Sequence, residues 1–150
     1  MTQPGECLLN LLSNSPEETF NLAKRIAPSL SGGCVVALEG KLGSGKTCFA
    51  KGIACALGIT ENLTSPTYTI INEYKNENLP AFYHIDAYRL NNDKEFEEIG
   101  GEEIINSGGI CVIEWSCNIP KSIPENAITI TINITGNESR EITINGLDSI

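Results

Sequence analysis

A short glycine-rich stretch carries the residues of this sequence whose types and spacing are best suited to chemistry. Gly40 is followed after four residues by Gly45, Lys46 and Thr47, which is the G-x-x-x-x-G-K-[ST] pattern of a phosphate-binding loop. An apolar segment, 35–39, precedes the pattern, and a run with helical apolar spacing follows it, which is the strand and helix context that the motif requires. The stretch therefore predicts a P-loop that holds a polyphosphate. The alternative is a glycine-rich turn without a ligand.

Each residue type in this loop has a physical role toward phosphate. Glycines permit the tight backbone turn that aims the amides of residues 43–46 at phosphate oxygens, at the positive N-terminal end of a helix. The Lys46 ammonium then contacts the β- and γ-phosphates, and the Thr47 hydroxyl is a ligand for Mg²⁺. We expect these residues to bind the nucleotide: Leu42, Gly43, Ser44, Gly45, Lys46, Thr47 and Cys48.

Two predicted strands end in carboxylates further along the chain. Asp86 closes the apolar segment 82–86, and Glu114 closes the segment 110–114. Downstream of a P-loop, an acid at a strand end typically holds Mg²⁺ or orients the attacking water, so Glu114 has the form of a Walker B residue. For Asp86, a solvated strand end is an equally good interpretation.

The single tryptophan and the single histidine lie near these acids in the sequence. Trp115 directly follows the second acid, and contact with the nucleotide site is an alternative to a place in the core. His84 lies inside the first of the two strands with no neighbour at ligand spacing, so we interpret it as structural. Thr67 belongs to a hydroxyl-rich segment, 64–69, whose chemistry suits a sensor of the γ-phosphate, although an ordinary loop has the same composition.

The elements that must position these residues follow from turn signals and apolar periodicity. Ser15 and Pro16 begin a helix that runs to about residue 27, where Pro28 ends it. The segment 93–105 predicts two short helices with acidic faces, separated by a double glycine. Alternating isoleucines in 128–144 predict an antiparallel hairpin at the end of the sheet. The predicted fold is therefore a P-loop NTPase of the α/β class, with a mixed, mostly parallel sheet flanked by helices and an antiparallel C-terminal hairpin.

Composition limits the class of partner. The length of 150 residues fits one domain over 1–150, and no segment has the length and apolarity of a membrane span. Ten lysines and arginines against nineteen acids give a net charge of −9, which argues against direct binding of nucleic acid. The six cysteines lack CxxC and Cys/His spacing, so zinc is not expected. We predict a cytoplasmic protein.

What the sequence lacks narrows the class of P-loop protein. No Asn-Lys-x-Asp motif is present, which argues against a Ras-like GTPase. Small-molecule kinases typically use several arginines on the donor and acceptor phosphates, whereas this chain has only Arg25, Arg89 and Arg140. A compact ATPase or ATP-dependent switch is therefore the main prediction, and a small-molecule kinase is a poorer one.

Several blocks of the sequence occur together in one known family. They are Gly40 to Thr47, Ser65-Pro66-Thr67-Tyr68-Thr69, Tyr83-His84-Ile85-Asp86-Ala87-Tyr88-Arg89-Leu90, Glu98-Ile99-Gly100 and Val112-Ile113-Glu114-Trp115-Ser116. In content and order they resemble the TsaE family, also called YjeE, over nearly the whole chain. The resemblance implies an ATPase subunit of the bacterial machinery that makes N6-threonylcarbamoyladenosine at position 37 of tRNA. It also implies TsaD and TsaB as protein partners, through which the subunit acts on tRNA indirectly.

The resemblance further implies a role for each matching residue. Lys46 binds the triphosphate of ATP, while Thr47 and Glu114 hold Mg²⁺. Asp86 orients or activates the attacking water, or supports the metal shell. The segment around Thr67 corresponds to a first switch, and the segment around Asp86 to a second. Because the chain has few arginines, we expect slow hydrolysis that a partner accelerates; the alternative is a nucleotide-dependent binding switch in which hydrolysis is incidental.

Overall fold

A computed structural model describes residues 8–63, 70–75 and 79–147. In it, the P-loop connects a sheet of seven strands to the helix Lys46–Ala56. The elements, numbered in chain order, are β1 Leu8–Ser13, α1 Pro16–Ile26, β2 Val35–Glu39, α2 Lys46–Ala56, β3 Ile71–Tyr74, β4 Phe82–Asp86, α3 Asp93–Glu98, α4 Gly101–Ile105, β5 Ile110–Glu114, β6 Ile128–Ile134 and β7 Arg140–Asn145. The strands lie in the order β1-β7-β6-β2-β5-β4-β3. The predicted α/β fold with a mixed sheet is confirmed.

The centre of the sheet is parallel and brings three strand ends together. Strands β6, β2, β5 and β4 pair in parallel, while β1, β7 and β3 join the sheet through antiparallel pairs. The carboxyl ends of parallel strands meet at one edge, so the end of β2, which enters the P-loop, lies beside the ends of β5 and β4. In register, Glu114 pairs with Leu38 on one side and with Asp86 on the other.

The helices cover the two faces of the sheet in pairs. On one face, α1 and α2 pack together, and Ile26, Phe49 and Ile53 are fully buried there. On the other face, Phe96 of α3 packs in a second apolar cluster with Ile113 of β5. Every residue of β5 is buried, as expected for a strand covered on both sides. The sheet is therefore a firm support for the loops at its carboxyl edge.

Helix α1 begins with the cap that the sequence predicts. Ser15 is extended, and its side chain accepts the backbone N–H of Glu18 at 3.1 Å. The Glu18 carboxylate in turn accepts the N–H of Asn14 at 2.6 Å. The helix ends at Ile26, where a 3-10 turn takes over. These bonds fix the start of α1, which packs against the helix that carries the P-loop residues.

Other predicted elements are present in the structure but differ from the prediction in position or exposure. The hairpin of β6 and β7 lies one strand inside the sheet, because β1 pairs with β7 and forms the edge. Ile134, on the predicted buried face, is 48% exposed, since β6 ends there. The two short helices predicted in 93–105 are present as α3 and α4. Thr67 and the rest of 64–69 lie outside the described residues. Within the described ranges, no helix has the length and apolarity needed to cross a membrane.

Candidate functional site

The P-loop turns on glycines in a backbone conformation that side chains disfavour. Gly43 has φ +81° and Gly45 has φ +105°, and Gly45 directly precedes α2. The Ser44 N–H donates to the Lys41 carbonyl at 3.0 Å, which closes the turn. The Ser44 hydroxyl is buried and has no hydrogen-bond partner among the described residues. A glycine turn that opens onto the N-terminus of an eleven-residue helix fits a loop that receives an anion.

Lys46 is the first residue of α2, and its side chain turns back over the loop. Its ammonium donates to the carbonyls of Gly40 at 2.5 Å and Lys41 at 3.1 Å. The same nitrogen lies 4.1 Å from the centre of the Trp115 ring, within range of a cation–π interaction. Burial lowers the pKa of Lys46, and the charge of Glu114 is the largest influence that opposes this shift. A cation therefore lies at the centre of the site, in contact with the loop backbone.

Glu114, the last residue of β5, lies against the first turn of α2 and is only 3% exposed. The Thr47 hydroxyl is 3.2 Å from each of its carboxylate oxygens. Hydroxyl and carboxylate oxygens are the hard ligands that Mg²⁺ prefers. The described chain holds no group of three or more His, Cys, Asp or Glu able to bind a metal, but Mg²⁺ beside phosphates needs only one or two carboxylates. The pair therefore fits the Mg²⁺ ligands that the sequence predicts.

His84 approaches Glu114 from the neighbouring strand β4. Its Nε2 lies 2.5 Å from Oε2 of Glu114, and both side chains are almost completely buried. Its other ring nitrogen, Nδ1, is buried without a hydrogen-bond partner in the described part of the chain. The interpretation of His84 as a satisfied structural residue is therefore incomplete, because the ring fixes the orientation of a candidate metal ligand.

A cavity of about 280 Å³, here called the phosphate cavity, opens between the P-loop and the ends of β4 and β5. It is lined by Leu42, Gly43, Gly45, Lys46, Thr47, Cys48, Asp86, Glu114 and Trp115. Asp86 is half-buried, and one of its carboxylate oxygens accepts the Tyr88 N–H at 3.0 Å. The structure thus brings together the described residues that the sequence selects, with Ser44 behind the loop. Their roles stay predictions.

Trp115 has a left-handed backbone, with φ +59°, which no other non-glycine residue of the described chain shares. Its ring centre lies 5.0 Å from that of Tyr88. The next residue, Ser116, donates its hydroxyl to the carboxylate of Glu39 at the end of β2. These contacts hold the indole beside the Lys46 ammonium. Backbone strain of this kind is common at functional turns and supports the prediction that Trp115 belongs to the site.

Arg140 contacts the P-loop, and sequence reasoning did not identify it. At the start of β7, its guanidinium donates to the carbonyl of Ser44 at 3.0 Å and to that of Gly43 at 3.2 Å. These partners are backbone groups 96 and 97 residues earlier in the chain. No motif or periodicity predicts this contact, because the loop residues Gly43 and Ser44 take part only through their backbone carbonyls.

A second cavity, of about 190 Å³, lies between the P-loop, the start of α1 and the turn that joins β6 to β7; we call it the hairpin cavity. It is lined by Pro16, Thr19, Gly43, Ser44, Gly45, Cys48, Glu138 and Arg140. Cys48 borders both cavities, and its thiol donates to the Pro16 carbonyl at 3.4 Å. Burial raises the pKa of this thiol, which favours its neutral form. The two cavities therefore lie on either side of the loop, and Gly43, Gly45 and Cys48 border both.

Comparisons with known proteins agree with this geometry. A family model described as "Threonylcarbamoyl adenosine biosynthesis protein TsaE" matches residues 13–142. The tRNA threonylcarbamoyladenosine biosynthesis protein TsaE of Bacillus subtilis is 44% identical over 129 residues, which cover 86% of this chain and 80% of that protein. The protein of the same name from Treponema pallidum is 38% identical over 136 residues, covering 91% of this chain and 99% of the relative.

A solved structure extends the likeness from sequence to fold. The crystal structure of Bacillus subtilis YdiB superimposes with a TM-score of 0.80 at 37% sequence identity. The match covers 94% of this chain and 86% of that chain. The family model spans the P-loop, both acidic strand ends and the start of β7. The chain belongs to the TsaE family.

Proposed function

We propose that this chain binds ATP and Mg²⁺ at the P-loop and hydrolyses the ATP slowly, as a cytoplasmic subunit of the assembly that makes threonylcarbamoyladenosine in tRNA. The observation that carries the proposal is the contact between Thr47 and Glu114, 3.2 Å apart at the N-terminus of α2. A hydroxyl and a carboxylate at this point support a metal bound to the outer phosphates. We infer the biological process, tRNA modification, from the relatives, which are named for it.

The loop holds phosphates through backbone amides and one ammonium. The amides of residues 43–46 lie at the positive end of α2; those of Gly43, Gly45 and Lys46 donate to phosphate oxygens, while the Ser44 N–H closes the turn on the Lys41 carbonyl. Lys46 reaches a phosphate by exchanging its bonds to the carbonyls of Gly40 and Lys41. Magnesium, when bound, neutralises phosphate charge and assists the departure of ADP. Thr47 and Glu114 are the residues that would hold it.

Asp86 is the residue that we assign to the attacking water. It lies beside Glu114 in the β4–β5 register and lines the same cavity as Lys46. A carboxylate here accepts a hydrogen bond from water and directs the water oxygen toward the γ-phosphorus. As the new P–O bond forms, the bond from the γ-phosphorus to the bridging oxygen breaks, and ADP and phosphate are released. Support of the metal shell is the alternative role for this carboxylate.

The adenosine end of the nucleotide belongs in the hairpin cavity. The phosphate cavity holds both acids, so it takes the metal and the γ-phosphate. A phosphate chain that crosses the loop then directs the nucleoside past Cys48 toward Thr19 and Glu138. The Glu138 carboxylate can accept a hydrogen bond from an adenine amino group or a ribose hydroxyl. Thr19 is 3% exposed and its hydroxyl is bonded to that of Ser13 at 2.7 Å, so it offers the nucleoside its methyl group.

The phosphate cavity has few cations for rapid phosphoryl transfer. Among the described residues that line it, Lys46 alone carries a positive charge. Arg140 donates to backbone carbonyls behind the loop, and Arg25 and Arg89 are exposed. Related enzymes often use an arginine on the transferred phosphate, sometimes from a second protein. We therefore expect a partner to complete the site. TsaD and TsaB are the partners that the family resemblance offers, and the net charge of −9 supports a tRNA held by them.

The variant Glu114→Gln tests the proposal, because glutamine keeps the shape of the side chain and removes its charge. We expect E114Q to bind ADP without magnesium as the wild type does, and to lose magnesium-dependent ATP hydrolysis by about tenfold or more. Calorimetric ADP titrations with and without Mg²⁺, and phosphate release, measure the two effects. Glu102→Gln removes the same charge from the exposed surface of α4 and serves as the control. Wild-type hydrolysis by E114Q would contradict the assignment.

A nucleotide-dependent switch that needs no hydrolysis is the second candidate function, favoured by the presence of one cation, Lys46, among the described residues that line the phosphate cavity. The two candidates separate in a reconstituted tRNA-modification assay with the partner proteins. If hydrolysis resets the assembly, E114Q supports assembly but not repeated cycles. If occupancy alone is the signal, the variant cycles fully although its hydrolysis is abolished.

A further inference from the structure

Arg140 joins the P-loop to the turn between β6 and β7 through a set of bonds to backbone carbonyls. On the loop side, Nε donates to Ser44 at 3.0 Å and Nη2 donates to Gly43 at 3.2 Å. On the turn side, Nη1 donates to the carbonyls of Gly136 at 3.0 Å, Asn137 at 3.4 Å and Ser139 at 2.8 Å. One guanidinium therefore bridges the phosphate loop and the hairpin.

We propose that Arg140 is a positioning residue of the phosphate site, which fixes the direction of two P-loop amides by holding the carbonyls of the same peptide groups. The inference rests on the proposed function, since it assumes that the Gly45 N–H receives a nucleotide phosphate while the Ser44 N–H closes the turn on the Lys41 carbonyl. Arg140 needs no contact with the phosphate itself for this role. It acts through the loop backbone.

Because a peptide group is planar, a bond that holds its carbonyl oxygen also fixes the direction of its N–H. In a trans peptide, the C=O of one residue and the N–H of the next point in opposite directions. The described chain has no cis peptide, so the bond to the Gly43 carbonyl fixes the Ser44 N–H, and the bond to the Ser44 carbonyl fixes the Gly45 N–H. Both N–H groups then point away from Arg140, and the Ser44 N–H is bonded to the Lys41 carbonyl inside the loop. The guanidinium thus holds the back of the loop, and the amides face its interior.

The loop needs an external support because its own residues restrict it little. Gly43 and Gly45 both lie at positive φ, and without side chains they have many backbone conformations of similar energy. The hairpin is a firm anchor, since β6 pairs with β2, the strand that enters the loop, and with β7. Arginine suits the task, because its planar fork donates several bonds in fixed directions whereas lysine offers one point charge.

The variant Arg140→Gln tests the proposal by removing the fork and its charge. We expect its ADP affinity, measured by calorimetry, to fall by about tenfold, because two charge-assisted bonds to the loop are lost. The control is Arg25→Gln, which removes the same charge from the exposed face of α1 and should bind ADP as the wild type does. An R140Q variant that binds ADP within about twofold of the wild type would overturn the proposal.

The variant Arg140→Lys separates bridging from simple charge attraction and also serves if R140Q does not fold. Lysine keeps the positive charge but does not span loop and turn, so R140K should lose nearly as much ADP affinity as R140Q. Guanidinium ion added to Arg140→Ala should restore part of the affinity, and sodium chloride at equal concentration should not. Wild-type affinity in R140K would show that charge suffices and would reject the bridge.

The amide resonances of Ser44 and Gly45 provide a readout that does not depend on nucleotide. Both should shift or broaden in the R140Q spectrum, while R25Q leaves them unchanged; unchanged resonances in R140Q would also reject the proposal. Failure of the proposed function is distinguishable from failure of this proposal. A wild-type chain that binds neither ADP nor ATP would reject the proposed function. If the wild-type chain binds ADP and the R140Q variant binds it equally well, only the role of Arg140 is rejected.

Discussion

Gly52 is the point where helices α1 and α2 come closest, and its replacement by alanine tests the packing that supports the P-loop. A β-carbon at Gly52 would lie 2.5 Å from the Phe20 carbonyl oxygen and 2.6 Å from the Ala23 β-carbon. Ordinary van der Waals contacts begin near 3.4 Å. Because both neighbours belong to α1, the helix must move away by roughly 1 Å to accept the new methyl group.

Two opposing effects determine the stability of Gly52→Ala. Alanine gains about 1 kcal/mol over glycine inside a helix. Overpacking of a close contact costs about 1–3 kcal/mol, and the upper end applies because the Phe20 carbonyl is backbone and has no rotamer with which to withdraw. The loss exceeds the gain, so we expect the free energy of unfolding to fall by about 2 kcal/mol.

Urea unfolding, followed by far-ultraviolet circular dichroism, measures this difference from the midpoint and slope. Cys55→Ala is a matched control, because Cys55 is exposed on the same helix and its replacement should leave stability unchanged or slightly raised. The double variant G52A/A23G removes one of the two close contacts, so it should be more stable than the single effects predict by addition. A G52A variant as stable as the wild type would refute the close approach of the two helices.

Three further predictions concern the buried groups around the site. Burial raises the pKa of Cys111 from 9.0 to about 12, so above pH 9 only the unfolded thiol ionises and stability falls by up to about 1.4 kcal/mol per pH unit. Urea midpoints at pH 8 and pH 10 should show a smaller alkaline loss in Cys111→Ala, and an equal loss would contradict this. His84→Phe, which removes the nitrogen beside Glu114, should raise the Mg²⁺ concentration for half-maximal nucleotide binding by about tenfold. His84→Gln should raise it less, and equal values in both variants would show that His84 does not orient Glu114. Ser116→Ala, which removes the bond to Glu39, should lower the free energy of unfolding by about 1.5–3 kcal/mol in urea titrations, and no change would rule out a stabilising bond.

The parts of the site that the sequence predicts are those whose information is local. The P-loop occupies one short stretch, in which glycine, lysine and threonine each have a separate physical reason, so a single chain suffices to recognise it. The strand ends at Asp86 and Glu114 are equally local, because an apolar run that stops at an acid is visible in five residues. Their meeting at one edge follows from the parallel pairing that an α/β fold implies.

The parts that the sequence does not predict depend on register and on backbone partners. Residues two apart on a strand share a face, so His84 lies on the same face of β4 as Asp86, which pairs with Glu114. The contact of His84 with Glu114 therefore follows once the register of β4 and β5 is known, but the sequence does not contain that register. The contact of Arg140 with the P-loop is harder still to predict, because only the folded hairpin brings Arg140 to the carbonyls of a loop that follows β2, two strands away in the sheet.

The contacts of Lys46 determine how strongly the site can bind phosphate. Its ammonium is engaged with the carbonyls of Gly40 and Lys41 and with the Trp115 ring. A phosphate that takes this cation replaces existing bonds, so the net gain is the difference between a charge-assisted bond to phosphate and the bonds given up. The lowered pKa of Lys46 partly offsets this cost, because a charge that burial disfavours gains most from an anion brought beside it. If the site holds phosphate as proposed, we expect highly charged phosphates to bind in preference to weakly charged ones, because only a strong attraction outweighs the bonds that Lys46 gives up.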